Sequence, residues 1–332
     1  MISNSIDNRR QVDKVVNMEK VLVQKVDSQY LSEVGEEPGI VLFNSETELL
    51  YVTETVNLKR TIKLLDTLKE EDAEVHALFN QAETLQPIAC KTGTDAMIQK
   101  KLLQDKHNPQ FNQRIQIWKN YVYLALNPAE FPFLKITEYT DEDWFYIGPF
   151  RSRFFLIDLL ELMNKLLKLP YCEVKFGPCD KKFAGQCRGW CELIKAELAE
   201  EKDEATAKLN LQKLDALLKE AFVHADNSLL DLILQEKKKY EDDLQFAKAD
   251  LLSPQIEILK RYKEWLIFLY KIKNLNYVTS KVGVRNGQLV SYKADGIEHS
   301  NPYLKINYRA NEVLALNKNL VDEARILYQE RI

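Results

Sequence analysis

The first regular pattern along the chain is a pair of short apolar runs, GIVLF (39–43) and ELLYV (48–52), rich in β-branched and aromatic residues. Between them NSET (44–47) supplies Asn and Ser, which bond locally to their own backbone, so the two runs predict a hairpin. Leu58, Ile62, Leu64, Leu65 and Leu68 then recur at helical spacing and predict a helix behind it. A second helix is expected over 95–106, with a break at HNP (107–109). FFLIDLLELMNKLLKL (154–169) is a strongly amphipathic helix that Pro170 ends. From about 192 to 272 the pattern is almost wholly helical: one stretch over 191–222, then another over 225–272 for which Asp226, Asn227 and Ser228 offer N-caps. Ser253-Pro254 predicts a break within that second stretch, giving a helical hairpin, because the residue before proline avoids the α region. Further on, NYVTSKVGVRNGQLVSYKAD (276–295) alternates around Asn286-Gly287, a type I′ hairpin signal, and residues 317–332 close the chain as a helix.

The fold class expected is therefore α+β. A small sheet with helices leads into a cysteine-rich region, a long helical hairpin and a C-terminal β-hairpin plus helix. The expected boundaries are an N-terminal extension over 1–30, then units over 31–125, 126–195, 196–273 and 274–332.

Composition narrows the function classes. With 332 residues, 45% hydrophobic and 29% charged, the chain is of ordinary globular make-up. A formal net charge of −4 excludes a uniformly basic nucleic-acid-coating surface but leaves room for a local basic face. No apolar run reaches the roughly 18–20 residues of a membrane span. The start, MISNSIDNRRQVDKVV, has no apolar stretch followed by a small-residue cleavage site, so a cytoplasmic protein is expected.

Five cysteines are present, and four crowd into residues 172–191: Cys172, Cys179, Cys187 and Cys191, spaced C-x6-C-x7-C-x3-C, with Cys90 apart. In a reducing compartment such clustering favours metal ligands or redox groups over disulfides. Only Cys187 and Cys191 approach the pair spacing of a zinc knuckle, while four thiolates without histidine suit a [4Fe–4S] cluster. Zinc, and four reduced buried thiols without metal, are the alternatives. Gly177, Gly185 and Gly189 let a short backbone wrap a compact centre. Lys181, Lys182 and Arg188 form either a phosphate-binding decoration of that loop or a solvated surface.

Three stretches resemble, in the same order, the N-terminal half of the UvrC family, the incision subunit of bacterial nucleotide excision repair. PGIVLF…LLYVTETVNLKRT is similar to the family's GIY-YIG nuclease hairpin. EFPFLKITEYTDEDWFYIGPFRSR…GPCDKKFAGQCRGWC is similar to its YFGPY motif, helix and cysteine run. LQFAKADLLSPQIEIL (244–259) is similar to its UVR motif. The resemblance covers roughly residues 30–265, and the family's RNase H-like C-terminal half has no match in these 332 residues. It implies an iron–sulfur cluster on the four cysteines, DNA as a partner, and a UvrB-like helicase docked on the UVR hairpin.

It also implies a nuclease centre built from tyrosine, arginine, lysine and a metal-binding glutamate, which deprotonate water, neutralise the phosphate and stabilise the leaving oxygen. Carried over by position, Tyr51 is retained. The first-strand tyrosine falls on Val41, a glycine on Thr53, the lysine on Glu54, the arginine on Thr61, with Arg60 one step away, and the metal-binding glutamate on Lys100, next to Gln99. A lysine has no acceptor for Mg²⁺. The expectation is a GIY-YIG-like domain that no longer cuts and persists as a DNA- or partner-binding scaffold. The competing expectation is an active Mg²⁺-dependent structure-specific endonuclease using Tyr51, Arg60 and an acid such as Asp95. A third is an adaptor that binds no nucleic acid. In the UVR-like stretch, Leu244, Phe246, Ala249, Leu252, Ile256 and Leu259 form the expected apolar face, for UvrB or for the protein's own core, and Ser253-Pro254 stands in place of the family's Arg-Asp pair.

Overall fold

The computed structural model of the chain describes residues 20–140, 144–168, 180–185, 187–194, 204–224, 228–302 and 314–331. A short strand β1 (Val21–Leu22) and helix α1 (Ser28–Glu33) precede the hairpin β2 (Gly39–Asn44) and β3 (Leu49–Thr55). Then follow α2 (Leu58–Leu68), α3 (Ala73–Gln81), β4 (Thr84–Ala89), α4 (Gly93–His107) and α5 (Gln110–Arg114). The strands form an antiparallel sheet in the order β1-β4-β2-β3. Strand alternation sorts its two faces. Val41, Phe43 and Tyr51 pack with Leu58, Ile62 and Leu65 of α2 and with Val75 and Leu78 of α3. Ile40, Leu42 and Val52 pack with Ala96 of α4. The α2 helix starts where Asn57 Oδ1 accepts the Arg60 N–H at 2.8 Å, an N-cap.

The second sheet holds β5 (Val122–Leu126), β6 (Leu134–Thr137) and β7 (Phe145–Phe150). Helix α6 (Arg153–Leu167) follows, capped by Ser152 and burying Leu156, Leu159, Leu160, Leu162 and Met163. After α7 (Asp180–Phe183) and α8 (Trp190–Ile194) come three longer helices, α9 (Glu204–Phe222), α10 (Ser228–Asp242) and α11 (Phe246–Ile272). Here the structure corrects the sequence reading. The turn between the last two falls at Leu244, in a left-handed conformation with φ of 60°, and α11 runs unbroken through Pro254. Pro254 is exposed, as is Asp250 four residues before it, so water can satisfy the carbonyl that proline leaves unbonded. The buried stripe Ala249, Ile256, Leu259, Tyr262, Leu266 and Leu269 continues on both sides of it, and that burial outweighs the missing hydrogen bond.

The predicted C-terminal hairpin is the middle of a larger meander: β8 (Tyr277–Val278), β9 (Val282–Arg285), β10 (Gln288–Ala294) and β11 (Ile297–Ser300), in the order β11-β10-β9-β8. Asn286-Gly287 turns β9 into β10 with φ of 48° and 71°, and a second left-handed pair, Asp295-Gly296 with φ of 51° and 80°, adds β11. The chain then returns. Strand β12 (Leu314–Ala315) pairs in parallel with β7 and completes the second sheet in the order β12-β7-β5-β6. Helix α12 (Val321–Gln329) ends the described part.

One consequence is that α4 is covered on both sides. Ala96 faces the first sheet, while Met97 and Ile98 pack with Val282, Val284, Leu289, Tyr292 and Leu327 of the C-terminal elements. Among the described residues no helix is long and apolar enough to cross a membrane.

Candidate functional site

Tyr51 lies in β3, opposite Phe43 of β2, with their ring centroids 6.2 Å apart, and is 3% exposed. Burial raises its phenol above the ordinary 10.0, with Glu54 adding to the rise and Lys100 and a hydrogen bond from the Thr53 side chain opposing it. A general base needs a lowered pKa and access to water, and this hydroxyl has neither. Val41, which takes the first tyrosine's place, is fully buried and paired in register with Thr53.

Glu54, also on β3, and Lys100, on α4, meet across the sheet–helix interface. Lys100 Nζ stands 2.7 Å from Glu54 Oε2, with the two side chains 24% and 13% exposed. Burial opposes the ammonium, but the charge and hydrogen bond of Glu54 outweigh it, helped by Tyr51 and Glu323, and hold the Lys100 pKa above 10.5. The resemblance places a divalent cation at this point, on a carboxylate at position 100. The residues present do not fit one. The acceptor is replaced by a donor, and the neighbouring carboxylate is already neutralised by it. Gln99 turns away and its Oε1 accepts the Cys90 thiol at 3.5 Å. Asp95, the acid of the competing expectation, lies in the first turn of α4, where its backbone N–H donates to the capping Thr92 Oγ1 at 3.1 Å, and its carboxylate pairs with Lys281 Nζ at 2.6 Å. It lies five residues before Lys100, about 7.5 Å along the helix.

The structure also separates Arg60 from the arginine position. Thr61 turns inward, its Oγ1 donating to Thr55 Oγ1 at 2.7 Å, while Arg60 is exposed. Helix α12 lies over this side of the domain: a Cβ on Gly93 would come within 2.9 Å of Ile326 and 3.4 Å of Val56. Glu323 of α12 pairs with Lys101 at 2.9 Å, and Glu330 Oε1 accepts the Thr94 N–H at 2.6 Å. None of these α12 partners was foreseen, because no local pattern links residues more than 200 positions apart. Asn112 was also missed. Its Oδ1 accepts the Val52 N–H at 2.9 Å and its Nδ2 donates to the Val52 carbonyl at 2.6 Å, closing off the exposed edge of β3.

Of the four clustered cysteines, Cys172 and Cys179 lie outside the described residues. Cys187 is buried beside Trp190, and Cys191 follows in the first turn of α8. Cys187 Sγ accepts the Gly189 N–H at 3.3 Å. Gly189 holds φ at +73°, which a side chain would strain. Among the described residues there is no group of three or more metal-ligating side chains. Arg188 is exposed, and the Lys182 side chain folds back to within 3.1 Å of where a Cβ on Gly189 would lie.

The apolar set expected on the helical arm divides. Ala249 and Ile256 are buried, at 1% and 6% exposure, as is Leu259, so these belong to the protein's own packing. Leu244 and Phe246 remain 75% and 58% exposed at the turn, with Leu251 beside them at 72%.

No family model matches the chain. Among curated proteins it is similar to the UvrABC system protein C of Fervidobacterium nodosum, 24% identical over 324 residues, which is 91% of this chain and 55% of that protein. The protein of the same name from Thermosipho africanus is 26% identical over 172 residues, 51% of this chain and 31% of the relative. That from Methanococcus maripaludis is 24% identical over 238 residues, 70% and 42% respectively. The chain thus spans between about a third and just over half the length of these relatives. Among solved structures, the magnesium-bound GIY-YIG N-terminal endonuclease domain of UvrC from Thermotoga maritima aligns at 21% identity with a TM-score of 0.24, covering 25% of this chain and 92% of that one.

Proposed function

The chain is a divergent UvrC-like protein, and on that premise we propose that it serves DNA repair as a binding scaffold whose GIY-YIG-like domain does not cut. The observation that carries this reading is the Lys100–Glu54 ion pair, 2.7 Å long, in the place where a nuclease would hold its cation. A catalytic metal there would have to displace an ammonium from a carboxylate in a half-buried setting. The buried, raised Tyr51 phenol supports the same reading, and the Asp95–Lys281 pair speaks against a displaced acid.

Two further roles belong to this proposal. The exposed apolar residues Leu244, Phe246 and Leu251 at the α10–α11 turn suit docking of a UvrB-like partner, with the remainder of the UVR-like stretch serving the fold. The cysteine segment suits a [4Fe–4S] cluster on Cys172, Cys179, Cys187 and Cys191. The Gly189 N–H on Cys187 Sγ is the kind of hydrogen bond that stabilises cluster thiolates. When bound, such a cluster would supply a redox-sensitive centre. A cytoplasmic setting accords with this reading.

The test is a nicking assay on bubble and flap DNA with Mg²⁺ or Mn²⁺, paired with a binding measurement on the same substrates. Binding without cutting is the expected result. Metal-dependent cutting that Tyr51→Phe abolishes would overturn the scaffold reading in favour of an active endonuclease.

A further inference from the structure

Three arginines from distant parts of the chain converge beside α12. Arg151 follows β7, and its guanidinium grips Asp322, with Nε donating to Oδ1 at 2.8 Å and Nη2 donating to the same oxygen. The other oxygen of that carboxylate accepts the Tyr121 hydroxyl at 2.7 Å. Arg325 sits three residues along α12 from Asp322, on the same side of the helix, and lies over the Trp265 ring of α11 at 5.4 Å. Arg60, in the first turn of α2, is near enough for its charge to act on Arg325. Burial, and then the charges of Arg151 and Arg60, lower the Arg325 pKa against the pull of Asp322. Among the described residues neither Arg60 nor Arg325 forms an ion pair. Arg151 and Arg325 therefore draw on one carboxylate, which Arg151 and Tyr121 already occupy, and the Arg60 charge adds to Arg325. In a chain of net charge −4 this is a local cationic surplus held in place by the fold.

We propose that this face binds a nucleic-acid strand, with Arg60 and Arg325 as phosphate ligands and Arg151, fixed by Asp322, flanking them. The aromatic neighbours favour a strand over a free anion. Arg261 lies 4.8 Å over the half-buried Phe155 ring as Arg325 lies over Trp265, and both rings meet Phe150, 3% exposed, in the core behind them, at 6.2 and 6.1 Å. Phe154, beside Phe155, is 78% exposed and unspent in the core. Single strands are held in this way, with phosphates on cations and bases stacked on rings. The proposal rests on the DNA-binding reading above, but it places the strand on α2, α6, α11 and α12 rather than on the cysteine loop, and it gives α12 a part in function.

The experiment measures fluorescence anisotropy of a short labelled oligothymidylate with the full chain over a series of salt concentrations. Arg60→Gln, Arg325→Gln and Phe154→Ala are compared with Lys238→Gln, which removes an exposed charge from α10. Each arginine variant should bind about tenfold more weakly and flatten the log–log salt slope by about 0.7 for each phosphate that is no longer neutralised. Phe154→Ala should weaken binding with the slope unchanged, and Lys238→Gln should bind as the parent does. Arg325→Gln also gives up its stacking on Trp265 and can disturb folding, so exposed Arg60 and Phe154 decide the matter. Parent-like affinity and slope in both Arg60→Gln and Phe154→Ala would overturn this site while leaving DNA binding itself intact. No oligonucleotide binding by the parent chain would remove both readings. Thermal stabilisation by inorganic phosphate alone, without oligonucleotide binding, would mark a free-anion site and equally overturn the proposal.

Discussion

Lys100 Nζ lies 2.7 Å from Glu54 Oε2. Each residue carries the charge opposite to the one that the UvrC resemblance puts at its position, and the two reversals compensate each other. A lone reversal would leave an unpaired charge in a half-buried interface between β3 and α4. Two together leave a neutral pair that joins sheet to helix. On the proposed reading, this structural contact stands where the resemblance puts nuclease residues, and it can be tested directly.

Lys100→Met should strand Glu54, whose side chain is 13% exposed. The expected cost is about 1–3 kcal/mol, below that of a fully buried pair because water still reaches the site. Urea unfolding measures it, and Glu54→Gln added to Lys100→Met should recover most of the loss. The pH dependence has a fixed sign. The folded-state Lys100 pKa is raised above 10.5, so its contribution is complete below that value and disappears as pH rises through the higher folded value. The gap between parent and variant should stay constant through neutral pH and close only in strongly alkaline solution.

Restoring the family's charges gives a gain-of-binding test. The double variant Glu54→Lys with Lys100→Glu should acquire a thermal shift with Mn²⁺, while the parent shows none. At a Mn²⁺ concentration about 100 times the dissociation constant, linkage gives about 2.7 kcal/mol, a rise of several degrees for a chain of this size. Equal shifts in parent and variant would mean that the cation binds elsewhere.

The sequence carried the local elements and little of their assembly. Helices α2 and α6 were legible because each has one wet face, so apolar positions recur with a clear period, while the hairpin at 39–52, buried on both faces, was legible as two apolar runs around a turn signal. The helix expected at 95–106 is α4, Gly93–His107, but Ala96 and Met97 are buried against different sheets, which left no single apolar stripe to show what it packs against. Asp295-Gly296 was a readable turn signal that escaped notice beside Asn286-Gly287. At the candidate site the substituted positions could be counted from sequence, but not that Glu54 and Lys100 touch, nor that the Arg60 charge acts on Arg325. Those relationships depend on tertiary packing between segments with no shared local pattern.

The misplaced helix break yields its own pair of substitutions. Pro254→Ala should stabilise the protein by about 1–3 kcal/mol, because it restores an N–H to a helix that already runs through the site. Leu244→Gly should stabilise by up to about 1 kcal/mol by relieving the left-handed backbone at φ 60°. If Leu244 contacts a partner, the same change weakens that association while raising the unfolding midpoint, and calorimetry of the free protein separates the two effects. A destabilised Pro254→Ala variant would show that proline is needed for the bend or the packing of α11.

The last prediction concerns the cysteine segment. Cys187 Sγ receives the Gly189 N–H at 3.3 Å from a backbone turned to φ +73°. An N–H donated to sulfur in this way is the kind of contact a cluster ligand would receive. Anaerobic purification should give a brown protein with about four irons per chain. Cys187→Ser and Cys191→Ser should each lose that iron. Gly189→Ala should lower iron retention without removing a ligand, because a Cβ there strains the left-handed backbone and crowds Lys182 at 3.1 Å. Stoichiometric zinc, or full folding with no metal at all, would refute the cluster. In the metal-free case Cys187 would be a core thiol packed against Trp190, and Cys187→Ala would cost stability as a small cavity does, with no spectroscopic change.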